Sequence, residues 1–113
     1  MDLPDWDEKS LKFITNVGLI TSDGPFGPNI MSSEWTHHLS YSPGLIAVCP
    51  RPSRTTYENI KETKEFGVSL CAVDQAGMAS ISGGYHGREY DKIKALKELG
   101  FEFIKQRKLN PLW

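Results

Sequence analysis

Short apolar stretches divided by Gly- and Pro-dense turns make up the first two thirds of the chain, and helix-spaced apolar positions come later. Val17 to Ser22 is β-branched and apolar, which predicts a strand. Asp23-Gly24-Pro25-Phe26-Gly27-Pro28 predicts a tight turn. Asn29 to His37 can alternate. Asn29, Met31, Ser33 and Trp35 fall on one face and Ile30, Ser32 and Glu34 on the other, so a second strand is expected, bent near Ser32-Ser33. After a turn at Tyr41-Ser42-Pro43-Gly44, Leu45 to Cys49 is continuously apolar, as in a strand covered on both faces. Pro50 and Pro52 end it, because proline donates nothing to a ladder.

Thr55 with Glu58 three residues later fits a capping box. The helix it opens is expected to run to about Glu65, with Tyr57, Ile60 and Lys64 on one face. Phe66 to Val73 reads as the next strand, Asp74 as the cap of a short helix through Met78 and Ile81, and Ser82 to Gly87 as a flexible glycine loop. Asp91 starts a last helix with Ile93, Leu96 and Leu99 inward and Gly100 at its C-terminal cap. Phe101 to Ile104 reads as a final strand. The order β-β-β-α-β-α-α-β, with no repeat or linker, predicts one domain over residues 1–113. The expected fold is mainly β with helices, a small barrel or sheet with the helices outside it.

A length of 113 residues also limits the chain to a single modest core. The net charge of −1 gives no global field for nucleic acid or a membrane surface, and neither is expected as a partner. No apolar run reaches the roughly 20 residues of a membrane span. The acidic segment 1–12 does not have the basic-then-apolar form of a secretory signal, so a cytoplasmic location is expected. Cys49 and Cys71, with no CxxC, read as buried thiols of a reducing compartment.

Local charge is more informative. No Lys or Arg occurs between Lys12 and Arg51, and then Pro50-Arg51-Pro52-Ser53-Arg54-Thr55-Thr56-Tyr57 places two arginines and three Ser/Thr hydroxyls between a strand and a helix start. Helix N-termini carry unpaired N–H groups and partial positive charge, which suit an anion. Arginine adds a fork matched to phosphate, and the hydroxyls add donors. The plainer alternative is a capped helix with two surface arginines. In Asn29 to Trp35, small hydroxyl residues between Met31 and Trp35 would let a flat aromatic ligand approach the backbone. Here the alternative is a barrel strand with a core tryptophan. His37 and His38 point to opposite faces of a strand and His86 stands alone, so no metal site is expected. No GxSxG elbow or GxGxxG loop is present.

Five segments in order resemble the flavin reductase-like proteins, and most of all the flavoredoxin subgroup. They are Val17–Ser22 with Asn29-Ile30-Met31-Ser32-Ser33-Glu34-Trp35; Pro43 before Leu45–Cys49; Pro52-Ser53-Arg54-Thr55-Thr56; Glu65-Phe66-Gly67-Val68; and Gly87-Arg88-Glu89-Tyr90-Asp91-Lys92. The resemblance covers roughly residues 13–105. It implies an FMN-binding split β-barrel, usually a homodimer with flavin near the subunit interface. It implies that Ser53, Arg54, Thr55 and Thr56 hold the phosphate, that Met31, Ser32, Ser33 and Trp35 line the ring largely through backbone, and that Arg51 serves either. No side chain is expected to be catalytic, since the cofactor carries the chemistry.

Members of that family continue into further strands and a glycine-aspartate-histidine segment, whereas this chain stops at Asn110-Pro111-Leu112-Trp113. A barrel truncated at its C-terminus is therefore expected, its open edge covered by a second chain or a swapped dimer, or left as a shortened product with impaired flavin binding. The implied function is an oxidoreductase passing electrons from NADH or NADPH through FMN to an acceptor. The alternatives are a non-catalytic flavin-binding or assembly module and a binder of another phosphate ester.

Overall fold

The structure, a computed structural model, describes residues 16–105. The acidic segment 1–12 and the end of the chain at Asn110–Trp113 lie outside the described residues. The order is β1 (Gly18–Ser22), β2 (Asn29–Ser33), β3 (Thr36–Tyr41), β4 (Gly44–Val48), α1 (Thr55–Thr63), β5 (Gly67–Leu70), a 3-10 turn (Val73–Gln75), α2 (Ala76–Gly84) and α3 (Lys92–Glu98). The expected mixture of β-structure and helices is present.

The strands form two antiparallel groups. One sheet has the order β2-β1-β5, with Gly18 opposite Ser33 and Leu70, and Ile20 opposite Met31 and Val68. The other is the β3–β4 ribbon, with Thr36 opposite Val48 and an irregularity between His38 and Ser40. The strand expected from Asn29 to His37 is thus two strands in two sheets, broken at Glu34-Trp35 rather than bent at Ser32-Ser33. The Cys49 N–H still reaches the Trp35 carbonyl at 3.1 Å, joining the break to the end of β4.

Successive side chains on a strand face opposite ways. In β1 this buries Leu19 on one face and Ile20 on the other, and both faces are covered. The core gathers Leu19, Ile30, Met78 and Leu96, with Ile81, Ile93, Phe101 and Phe103 packed against it. All three helices pack on the β1–β2 pair. Asn59 of α1, fully buried, ties that helix to the β1–β2 turn. Its amide nitrogen donates to the Gly27 carbonyl at 3.0 Å and to Ser22 Oγ at 3.3 Å, and its oxygen accepts the Phe26 N–H at 3.2 Å.

Several boundaries differ from the sequence reading for identifiable reasons. The N-cap of α1 is Arg54 with no side-chain cap bond, so Thr55 is the first helical residue and no capping box forms with Glu58. Lys64 takes a left-handed conformation (φ 61°) and ends α1 at Thr63. Asp74 lies inside the 3-10 turn and is no cap; instead Gln75 Oε1 accepts the Ala72 N–H at 2.9 Å. The expected loop from Ser82 is still helix through Gly84. Tertiary packing outweighs glycine's low helix propensity there. A Cβ on Gly83 would collide with Ser32 Oγ, so a larger residue there would require the Ser32 hydroxyl to move aside.

At the other end the sequence signals hold. Asp91 caps α3 by accepting the Lys94 N–H at 3.0 Å. The Phe101 N–H bonds to the Leu96 carbonyl and the Gly100 N–H to that of Lys97, with Gly100 at φ 96°, a Schellman ending. The helix has stopped by Leu99, which is therefore exposed rather than inward. Phe101 and Phe103 are half-buried and Glu102 and Ile104 exposed, the alternation of a strand, yet no strand forms over 101–104. Cys49 is exposed and Cys71 half-buried, so neither is the buried thiol expected. No helix among the described residues is long and apolar enough to cross a membrane.

Candidate functional site

β2 lies at an edge of its sheet. Edge strands present backbone N–H and C=O groups with no strand beside them. Along this edge runs a cavity of about 710 Å³, within the usual range for small-molecule sites. Residues from both faces of β2 line it: Asn29, Met31 and Ser33 from one, Ser32 from the other. Glu34 and Trp35, at the break between the sheets, continue the wall, and Cys49, Pro50 and Arg51 enter from the end of β4.

The start of α1 supplies Arg54, Thr55 and Thr56. The first helical N–H groups have no carbonyl one turn back to bond. Thr55 and Thr56 are almost fully buried. Thr56 Oγ1 accepts from Asn29 Nδ2 at 2.9 Å, fixing the helix start against β2. Thr55 Oγ1 is buried and has no hydrogen-bond partner among the described residues. Leaving such a hydroxyl unpaired costs about 1–3 kcal/mol, which makes this atom a marker for a missing acceptor or donor.

Eight of the nine residues expected to bind a cofactor share this wall: Met31, Ser32, Ser33, Trp35, Arg51, Arg54, Thr55 and Thr56. Ser53 does not; it lies in the turn before α1, exposed and outside the lining. Trp35 is 44% exposed and so belongs to the rim rather than to the core that was its alternative.

The sequence reading missed the far wall. Ser82 and Gly83 of α2, Tyr85, His86 and Gly87 of the following loop, and Lys92 of α3 line the same cavity. Ser82 Oγ and His86 Nδ1 are buried and, like Thr55 Oγ1, without a partner among the described residues. Lys92 is buried, and its Nζ donates to the Ser82 carbonyl at 3.0 Å. Burial, and secondarily the positive charge of Arg54, lower its pKa from 10.5 to about 8. A signal for Lys92 was available: it precedes the core residue Leu96 by one helical turn and so shares its inward face.

The arrangement combines two cations close enough to repel one another, a helix start, three unsatisfied polar atoms, and apolar surface from Met31 and Trp35. It can hold an anion next to a flat, largely apolar body.

Comparison with known proteins defines the class. The flavin reductase like domain matches residues 10–100, and the chain belongs to that family. An uncharacterized protein of Pyrococcus abyssi is 30% identical over 82 residues, covering 73% of this chain and 45% of that protein. Flavoredoxin of Desulfovibrio vulgaris (Miyazaki F) superposes with a TM-score of 0.72 and 28% identity, over 86% of this chain and 53% of its own. The FMN-binding protein of Thermus thermophilus shares the fold with a TM-score of 0.70 and 22% identity, over 84% of this chain and 56% of its own. The split-barrel fold expected from the resemblance is therefore the fold found. The chain spans about half the length of these relatives.

Proposed function

We propose that the cavity binds FMN, with the phosphate at the start of α1 and the ring along the edge of β2, and that the chain passes electrons from NADH or NADPH through flavin to an acceptor. The observation that carries this reading is the convergence of Arg54, Lys92 and the unpartnered Thr55 hydroxyl in the wall that also holds Met31 and Trp35. Membership of the flavin reductase family supports it independently.

The residues present fit the cofactor. Arg54 and Lys92 neutralise a phosphate dianion, and Thr55 Oγ1 gains the partner it lacks. Thr56, tied to Asn29, holds the helix start in place. Ser32 and Ser33 would meet the polar edge of the ring through backbone, and Met31 and Trp35, in the same wall, would cover its apolar surface. Arg51, in the same wall, would serve ring or phosphate. The bound flavin supplies the electron-carrying chemistry, and the chain supplies orientation and electrostatics.

A homodimer is part of the same reading. Two-stranded ribbons are marginal alone in water, and the β3–β4 ribbon exposes Leu39 (66%), Tyr41 (98%) and Ile46 (47%). A second copy covering this ribbon would bury them. Sedimentation of the flavin-loaded protein is expected to give twice the chain mass.

The direct test is a flavin titration followed by visible absorbance and fluorescence. FMN binds more tightly than riboflavin, and Arg54→Ala weakens FMN by ~10-fold or more with little effect on riboflavin. Anaerobic NADH or NADPH then bleaches the bound flavin. A yellow protein that does not bleach would favour a binding module, and a protein that takes up neither flavin would refute the assignment.

A further inference from the structure

Lys92 is 5% exposed, and among the described residues its ammonium has one hydrogen-bond partner, the Ser82 carbonyl. An ammonium has three protons to donate, so the Ser82 bond leaves it underused. Glu34 and Arg51 line the same cavity from the break between the sheets and the end of β4, but Glu34 makes no ion pair with Nζ. Arg54, from the start of α1, is a second cation, and its charge acts on Lys92. β2 (Asn29–Ser33) and α2 (Ala76–Gly84) bring no titratable side chain. The preceding loop brings Tyr85 and His86, the latter with a buried Nδ1 that has no partner among the described residues, and Asp91, whose carboxylate accepts the Lys94 N–H. Among the described residues Lys92 has no ion pair with a carboxylate.

A phosphate monoester dianion in this cavity would reverse the situation. It supplies the missing counter-charge to Nζ and offsets Arg54 at the same time. Its second ionisation lies near pH 6, so it enters as a dianion throughout the range where free Lys92 loses its proton.

Building on the flavin reading above, we propose that the cavity takes up a proton together with the phosphate dianion, carried on Lys92 Nζ, so that Lys92 makes the preference for phosphorylated over unphosphorylated flavin depend on pH. In the free protein Lys92 is part neutral near pH 8. In the complex it is an ammonium held between the Ser82 carbonyl and the phosphate. Linkage then requires FMN affinity to fall as pH rises past the free value, and leaves riboflavin, which has no phosphate, unaffected.

The test is the ratio of riboflavin Kd to FMN Kd for the full chain, measured by fluorescence quenching from about pH 7 to about pH 9.5. The ratio is expected to fall by ~10-fold or more across that range. Calorimetry at about pH 9 in two buffers of different ionisation enthalpy should show close to one proton taken up with FMN and ~0 with riboflavin. Lys92→Arg keeps its charge at every pH, so its ratio should be flat and high. Lys92→Met should give a flat, low ratio while still binding riboflavin, which reports that it folds. Wild-type protein that binds both flavins with a pH-independent ratio overturns this inference and leaves the flavin assignment standing. A Lys92→Arg ratio as steep as wild type also overturns it. Protein that binds neither flavin overturns both.

Discussion

Replacing Lys92 by methionine should remove a specific pH dependence from the stability of the ligand-free protein. The ammonium titrates at 10.5 when exposed and at about 8 in the fold, because burial and Arg54 disfavour its charged form. That difference corresponds to about 3 kcal/mol of destabilisation at a pH well below both values. The sign follows from proton counting. Between the two values the unfolded chain binds a proton that the folded chain does not, so wild-type stability rises with pH in that window. From about pH 7 to about pH 9.5 the gain from Lys92 alone is about 2 kcal/mol. At neutral pH the variant also loses the bond to the Ser82 carbonyl, worth about 1–3 kcal/mol. That loss offsets much of what the variant gains, so the change with pH is more telling than the stability at any one pH. Urea unfolding of both proteins in phosphate-free buffer at the two pH values provides the measurement. Groups common to both cancel in the subtraction. A wild-type minus variant difference that stays constant with pH would refute the buried-cation argument.

Three further outcomes are expected. Thr55→Val, nearly isosteric, removes a buried hydroxyl without a partner. It should leave the free protein as stable or up to about 1 kcal/mol more stable, yet weaken FMN by ~10-fold, as read by thermal melting and fluorescence titration. Asn59→Ala strips three bonds from a fully buried residue and should cost about 2–4 kcal/mol in urea unfolding. Finally, saturating FMN should slow alkylation of Cys49, which lines the cavity, and leave that of Cys71 unchanged, as followed by peptide mass spectrometry. Equal protection of both thiols, or of neither, would count against the placement of the ligand.

Much of the near wall of the site was legible because its signals are local. Arginines and hydroxyls between a proline-bounded strand and a helix predict an anion site from a single segment, and Arg54, Thr55 and Thr56 do line the cavity. The capping box was misread for a related reason: Thr55 and Glu58 have the right spacing, but the chain turns one residue earlier, at Arg54. The far wall was not legible, because α2 comes to β2 by long-range packing. Ser82 and Gly83 look like loop residues until Ser32 is placed beside them. Helical spacing places Leu96 inward, and it is in the core, whereas Leu99 fails because that period says nothing about where a helix stops. The division of the strands at Glu34-Trp35 depends on a change of sheet partner, and partner choice leaves no mark on a single strand's pattern.

The contact between Gly83 and Ser32 has an evolutionary consequence. A side chain at position 83 must first displace the Ser32 hydroxyl, so exchange at this part of the cavity is coupled across α2 and β2. Single exchanges meet less resistance at the mouth, through Met31, Trp35, Cys49 or Tyr85. Descendants of this chain would therefore vary in what they admit sooner than in how deeply they hold it.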